Sequence, residues 1–280
     1  MGHFLKNATV TLDIIIPVLN GESFLPKALN SIDNLNSLPD QIIFLDNCSS
    51  DNTSDIIKRW AEDKPFVEIH RNSQVLSFAD NWNTALKLAK SEFVHFLAFD
   101  DELHPGFVNN VKTVARKYRH ATGMVFRVNI FDEKRKHLSK KLHLPIEYQV
   151  NARKFLKLLI SNNSINLAGA VFRREEIARL GFMDKRYSIW PDWILWQNIL
   201  MYGTIVRSFR IASTYRIHST TQKQIERRNL VEQDLSTMIQ LQLPLIFDFL
   251  EINPSKRTQF IAKLKSRVRS QASFSPLTSQ

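Results

Sequence analysis

The chain has 280 residues, 44% of them hydrophobic and 23% charged, which is enough to bury a sizeable core in one large domain or two modest ones. A formal net charge of +11 favours anionic partners such as nucleic acid, an anionic membrane surface or phosphorylated substrates. The lone cysteine, Cys48, excludes an internal disulfide and a cysteine-based zinc site, and no apolar stretch approaches the roughly 20 residues of a membrane helix. Residues 1–10 carry neither a basic n-region nor a long apolar h-region, so no signal peptide is expected and the cytoplasm is the expected location.

Residues 13–18 read as a buried strand, stopped by Leu19-Asn20-Gly21, and the apolar spacing over 22–32 predicts an amphipathic helix. A second apolar strand over 41–45 ends in Asp46. The polar turn 47–53 then leads into a helix over 54–62, with Ser50 or Asp51 available to cap it. A short strand over 67–70 ends at Arg71-Asn72. A helix over 77–90 presents Phe78, Trp82, Ala85, Leu86 and Ala89 as one stripe. The run 93–99 then predicts a strand delivering Asp100 and Asp101 to its C-terminal end.

Three apolar runs separated by helices thus end in polar or acidic residues at a common edge, where open α/β sheets place their ligands. Two adjacent carboxylates there suit a hard divalent cation and, through it, a diphosphate. A strand that merely ends in a polar turn would read the same way, and both readings stay open on these residues alone.

Further on, the pattern predicts a helix over 107–118, a strand over 122–131, a solvated turn over 133–141, a helix over 153–161, a strand over 166–172 and a short helix over 174–180. Residues 187–202 contain an apolar helix beginning near Pro191-Asp192, because proline suits the first turn and an acid favours the positive dipole end. A strand over 204–215 follows, then a polar exit over 216–221 and an apolar-rich helical segment over 230–250 interrupted at Pro244. The expected organisation is one domain over 1–222, a helical basic extension over 223–265 and a disordered tail over 266–280.

In combination these pieces resemble the family 2 inverting glycosyltransferases. The carriers of the resemblance are 14–22 (Ile-Ile-Ile-Pro-Val-Leu-Asn-Gly-Glu), the loop 46–53 (Asp-Asn-Cys-Ser-Ser-Asp-Asn-Thr), Asn81-Trp82-Asn83, and Asp100-Asp101 with Leu103 and Pro105. Gly181-Phe182-Met183-Asp184, Trp190-Pro191-Asp192 with Trp196, and Tyr215-Arg216-Ile217-His218 follow in the family's order. The resemblance implies a GT-A fold, an α/β architecture with a mostly parallel central sheet flanked by helices, here with a helical C-terminal extension. It also implies sugar transfer with inversion from a nucleotide-diphosphate sugar, aided by Mg²⁺ or Mn²⁺, to a glycan or lipid-linked acceptor.

Carried over by position, Pro17, Leu19, Asn20, Glu22, Asp46, Asn47, Ser49, Arg71, Asn81 and Asp100 would line the nucleotide-sugar site. Asp100, Asp101 and His218 would hold the metal, Asp192 would be the catalytic base, and Trp190 and Trp193 would face the acceptor. Two positions depart from the family pattern: Ala98 replaces the first acid of the metal motif, and Pro191 replaces the acid that commonly precedes the base.

The basic C-terminal segment, with six Lys or Arg and no acid after residue 252, suits peripheral contact with an anionic membrane at its inner face. A solvated helix and loose tail would carry the same charge. Nucleic acid is not an expected partner, because no zinc, helix-turn-helix or RNA-recognition signature is present. Two rivals remain: a catalytically degenerate nucleotide-sugar or glycan-binding module, suggested by Ala98 and Pro191, and a nucleotidyltransferase, which would need a Gly-rich basic phosphate loop after the first strand.

Overall fold

A computed structural model of the chain describes residues 9–134, 136–139, 146–218 and 224–274. Strands β1 (Leu12–Val18), β2 (Gln41–Asp46), β3 (Val67–Arg71) and β4 (Phe93–Phe96) alternate with helices α1 (Leu25–Asp33), α2 (Thr53–Ala61) and α3 (Phe78–Leu88). After β5 (Glu102–Leu103) come α4 (Phe107–Lys117), β6 (Gly123–Asp132), β7 (His137–Ser139), β8 (Tyr148–Gln149) and α5 (Ala152–Leu159). A 3₁₀ turn at Leu167–Gly169 leads into β9 (Ala170–Arg173), α6 (Arg174–Arg179), α7 (Pro191–Tyr202) and β10 (Ile205–Ile217). The C-terminal helices are α8 (Gln224–Thr237), α9 (Leu243–Phe249) and α10 (Pro254–Phe274).

The strands form one sheet in the order β3-β2-β1-β4-β9-β6-β10-β5, with β7 added to β6 and β8 to β10. β3, β2, β1 and β4 are mutually parallel, as are β6 and β10, and β9 runs antiparallel between the two groups. Every residue of β1 is buried, as a strand covered on both faces requires. Side-chain alternation splits it: Ile14 and Ile16 pack with Leu25, Ile57 and Phe107 on one face, and Ile15 packs with Trp82 and Phe96 on the other. Trp196 of α7 is fully buried on that second face, stacked on Phe172 at 4.7 Å and edge-on to Phe96 at 5.5 Å.

Several boundaries differ from expectation for identifiable reasons. The strand expected over 93–99 stops at Phe96. Leu97 N–H still donates to the Ile15 carbonyl, so the odd-numbered residues of β1 face β4, and the next of them is Pro17. Proline has no N–H, so the β1–β4 ladder ends there and residues 98–101 turn away, with Asp101 N–H donating to the Ala98 carbonyl at 3.0 Å. Helix α1 begins at Leu25, not at 22: Pro26 has no N–H to donate to the Glu22 carbonyl, and its fixed φ suits the first turn. The expected turn over 133–141 includes β7, paired antiparallel with β6, and the expected strand over 166–172 opens as a 3₁₀ turn capped by the Asn166 side chain. Asn52 is the N-cap residue of α2 and makes no side-chain capping bond; the Asp51 carboxylate instead accepts the N–H of Thr53, the first helical residue, at 3.0 Å.

The C-terminal region is helical, as expected, and packs into the main core. Val231, Leu235, Met238, Leu243, Ile246, Phe247, Leu250, Leu264 and Val268 belong to the same buried cluster as Trp196 and Phe96. The backbone of α10 is helical through Phe274, so a disordered tail starting at 266 is corrected; residues 275–280 lie outside the described residues. Pro244 does interrupt its helix. A π-helical turn at Met238–Gln242 precedes it, widening the backbone where the ring would otherwise meet the carbonyl four residues back. The expected domain boundary at 222/223, and the polar exit over 219–221, fall outside the described residues.

Candidate active site

The C-terminal ends of β1 to β4 lie side by side in the parallel part of the sheet, and the loops leaving them are bonded to one another. Asn20 N–H donates to Ser49 Oγ at 3.0 Å, Gly21 N–H to Thr53 Oγ1 at 2.7 Å and Glu22 N–H to Asp51 Oδ2 at 3.1 Å. In return, Ser50 N–H donates to Asn20 Oδ1 at 2.9 Å, and Asn52 Nδ2 to Glu22 Oε1 at 2.8 Å. Asn20 adopts φ 51°, a left-handed conformation that asparagine tolerates. At Gly21 a Cβ would come within 2.6 Å of Val18 and 2.9 Å of Phe99, so the chain can pass only without a side chain. Asn20, Glu22 and Ser49 therefore build the wall as well as facing it. Pro17 is buried and terminates the ladder, and Leu19 is half-buried at the start of the loop.

Asp46, 1% exposed, accepts from Ser49 N–H at 2.9 Å, from the Ser54 hydroxyl and from Arg71 Nη1. Burial pushes its carboxyl up, but the hydrogen bonds of Ser49 and Ser54 and the Arg71 charge outweigh that and hold it below the ordinary range. Arg71 Nη2 also donates to the Ser49 carbonyl at 2.8 Å, which ties the ends of β2 and β3 to the same loop. Beside them Asn72 Nδ2 bridges Asn47 Oδ1 and Asn81 Oδ1, each at 2.9 Å, while Asn47 closes a two-way bond with the Leu76 backbone. Asn83 does the same with Met183 across 100 positions, anchoring the 181–184 segment to α3.

The expected metal acids separate. Asp101, 1% exposed, turns inward, where its Oδ1 accepts Arg216 N–H at 3.0 Å. Burial and the neighbouring Asp100 push its carboxyl well above the ordinary range, against the pull of Arg216. Asp101 is therefore corrected from metal ligand to buried support. Asp100 faces outward, with Oδ2 at 2.7 Å from His218 Nε2. The His218 ring stacks on Phe24 at 4.2 Å, and Arg216 approaches the same ring at 5.9 Å. No group of three or more His, Cys, Asp or Glu that could hold a metal is found among the described residues. One carboxylate oxygen and one imidazole nitrogen nevertheless converge, a pair of donor types that would suit a divalent ion.

Asp192 occupies the first turn of α7, just after Pro191. It is 6% exposed, accepting Trp193 N–H at 2.7 Å and Asn163 Nδ2 at 3.3 Å. Burial raises its carboxyl to about 6 despite those two donors. One helical turn further on is Trp196, packed on Phe96 at the end of the strand that leads to Asp100. Trp190 and Trp193 do not present the open ring faces expected of an acceptor wall. They are 6% and 3% exposed and packed edge-on against each other at 5.1 Å, and Trp193 Nε1 donates to the Leu159 carbonyl.

Sequence reasoning gave no site role to four contributors: Phe24, Asn163, Arg216 (noted only as part of the 215–218 signature) and Asp234. Asp234 Oδ1 accepts Ser188 N–H at 2.8 Å, and its Oδ2 accepts Ile189 N–H at 2.8 Å and Trp190 N–H at 3.0 Å. The available signal was its register, since it lies one position before Leu235 and three after Val231, on the face those residues bury.

The family model described as "Glycosyl transferase family 2" matches residues 13–179, more than half of the chain. The chain belongs to glycosyl transferase family 2. It is a glycosyltransferase with a GT-A fold, and both Asp192 and His218 lie beyond the matched stretch. One similar protein is the GalNAc(5)-diNAcBac-PP-undecaprenol beta-1,3-glucosyltransferase of Campylobacter jejuni, 28% identical over 217 residues, covering 75% of this chain and 67% of that one. Another is the poly(ribitol-phosphate) beta-N-acetylglucosaminyltransferase TarP of Staphylococcus aureus, 26% identical over 231 residues, covering 76% and 68%. In structure the chain resembles S. aureus TarS 1-349 in complex with UDP-GlcNAc, with a TM-score of 0.68 at 15% identity, covering 95% of this chain and 74% of that one. Against a longer TarS chain it spans 44% of the length.

Proposed function

We propose that this family 2 enzyme transfers a sugar, with inversion, from a nucleotide-diphosphate sugar to a hydroxyl of a glycan or lipid-linked acceptor. Asp192 is the general base. The observation that carries this reading is the Asp192 carboxyl itself. It is buried and raised to about 6, so it is ionised at neutral pH and basic enough to take a proton. The acceptor oxygen attacks the anomeric carbon from the face opposite the diphosphate, its proton passes to Asp192, and the bond to the leaving diphosphate breaks. Asn163 holds one carboxylate oxygen of Asp192 and the Trp193 N–H the other, which orients the carboxylate.

Asp100 and His218 would hold Mn²⁺ or Mg²⁺ together with the donor diphosphate, and the imidazole nitrogen favours Mn²⁺. When bound, the ion supplies Lewis-acid stabilisation of the leaving group's charge. The paired loops after β1 and β2, with Asp46 and Arg71 beneath them, form the nucleotide end of the site.

The activities for which these relatives are named support a cell-envelope role. One acts on an undecaprenol-diphosphate-linked glycan and another on poly(ribitol-phosphate), and the TarS complex contains UDP-GlcNAc. The exposed Lys256, Lys263 and Lys265 of α10 would face an anionic membrane that carries such an acceptor. No helix among the described residues is long and apolar enough to cross a membrane.

Transfer and hydrolysis assays over a panel of UDP- and GDP-sugars, with and without Mn²⁺, test the reading. Metal-stimulated turnover with one nucleotide class supports it; neither binding nor turnover with any member sinks it. A nucleotidyltransferase is disfavoured because the N–H groups of residues 20–22 already donate to side chains and do not cradle a phosphate. A binding module is favoured by Ala98, which leaves Asp100 as the sole outward acid of its motif. Tight nucleotide-sugar binding in calorimetry, without turnover on any acceptor, would select it.

A further inference from the structure

We infer that Asp234 is a positioning residue for Asp192: a carboxylate delivered from the C-terminal helices that fastens the backbone leading into α7 and so aims the base. The inference rests on the role proposed for Asp192 and adds a residue that lies beyond the family match.

Three consecutive N–H groups, those of Ser188, Ile189 and Trp190, converge on the two oxygens of Asp234 at 2.8, 2.8 and 3.0 Å. A run of successive N–H groups closing on one anion is a nest, a geometry that holds the backbone of all three residues at once. The side chain is 0% exposed, so these bonds face no competition from water. Burial raises the carboxyl, and the three N–H groups oppose that rise. The nest ends at Trp190, the N-cap residue of α7, whose own side chain makes no capping bond. Asp234 therefore takes the N-cap N–H that the acid of a capping box takes elsewhere, from 44 positions away in the chain. Two residues beyond the nest is Asp192, and Ile194 N–H donates back to the Trp190 carbonyl, so a shift in residues 188–190 reaches the base with no flexible residue between.

α8 also has the rigidity this role needs. Val231, Leu235 and Met238 are buried around Asp234 in the same cluster as Trp190 and Trp193. A base displaced by about 1 Å can lose about 100-fold in rate while substrate binding elsewhere is untouched.

The test uses the full chain with Asp234→Asn, which keeps the shape but loses one acceptor, and Asp234→Glu, which restores the charge. For Asp234→Asn, kcat should fall about 10- to 100-fold, with donor KM and calorimetric nucleotide affinity within about twofold of the parent, and Asp234→Glu should recover part of the loss. Amide exchange at 188–190 should quicken, and the carboxyl ¹³C titration midpoint of Asp192 should move. The last two readouts need no turnover, so they still decide the inference if the parent protein transfers no sugar. An unchanged Asp192 midpoint, kcat within twofold of the parent, or equal losses of kcat and nucleotide affinity would each overturn it.

Discussion

His218 and Asp100 are 118 positions apart in the chain and 2.7 Å apart in the fold, Nε2 to Oδ2. The stacked Phe24 ring holds the imidazole against the carboxylate, so the pair is organised before any ligand arrives. Replacing either residue with Ala should weaken Mn²⁺-dependent nucleotide binding about 10- to 100-fold and leave the metal-free component unchanged. Calorimetry with UDP and GDP, each with and without Mn²⁺, measures this. Equal affinities with and without metal in the parent protein would remove the pair from any metal role.

The pH profile should report Asp192. Protonation disables a base, so kcat/KM should fall about tenfold per pH unit below a midpoint near 6. Asp192→Asn should reduce kcat by about 100- to 10,000-fold at pH 7.5 and leave nucleotide affinity nearly unchanged. A limb centred near 4, or parallel loss of binding, would show that Asp192 is not the base.

The same carboxyl makes the opposite prediction for stability. Its folded value of about 6 exceeds the ordinary 3.8, so the folded state binds this proton more tightly than the unfolded state does. The associated stability is fully present below pH 4 and is lost as pH rises through 6. Asp192→Asn keeps an oxygen for Trp193 N–H and has no charge to bury. It should therefore be more stable than the parent at pH 8, by up to about 3 kcal/mol, and about equal to it at pH 4. Thermal melts at the two pH values check this, and a difference that does not depend on pH would contradict it.

Arg71→Ala should behave in the reverse sense. The Asp46 carboxyl is depressed, so its contribution is present above the ordinary carboxylate range and is lost as pH falls through the folded value. Removing the half-exposed guanidinium leaves a buried acid with two uncharged donors, at a cost of about 1–2 kcal/mol at pH 7 that shrinks below pH 4. Denaturant midpoints at pH 7 and pH 3.5 read the difference.

The parallel half of the fold was legible because its information is local. Apolar runs of strand length, each ending in a polar residue and separated by amphipathic helices, determine β1 to β4 and place Asp46, Arg71 and Asp100 on one edge. The early end of β4 was not legible from its own residues. Phe93 to Phe99 all favour a strand, and it is the missing N–H of Pro17 on the neighbouring strand that stops the pairing. Asp100 and Asp101 look interchangeable in sequence, and only the return of β10, carrying Arg216 and followed directly by His218, sends one inward and the other outward. Trp190 and Trp193 misled for a related reason: an aromatic beside a candidate base suits a sugar platform and a core equally, and the C-terminal helices that cover them decide for the core.

The family match ends at residue 179, yet the buried cluster of α7 is completed by side chains as far along as Val268. Each of those buried aliphatic or aromatic groups contributes roughly 1.5–3 kcal/mol, and together they rival the whole net stability of an ordinary domain, about 5–15 kcal/mol. A protein shortened to the recognisable stretch would expose one side of its sheet as a sticky apolar plate. Grafting this stretch onto a foreign C-terminus would require the newcomer to supply a matching lid and counterparts of Asp192 and His218 before any sugar chemistry could be expected of it.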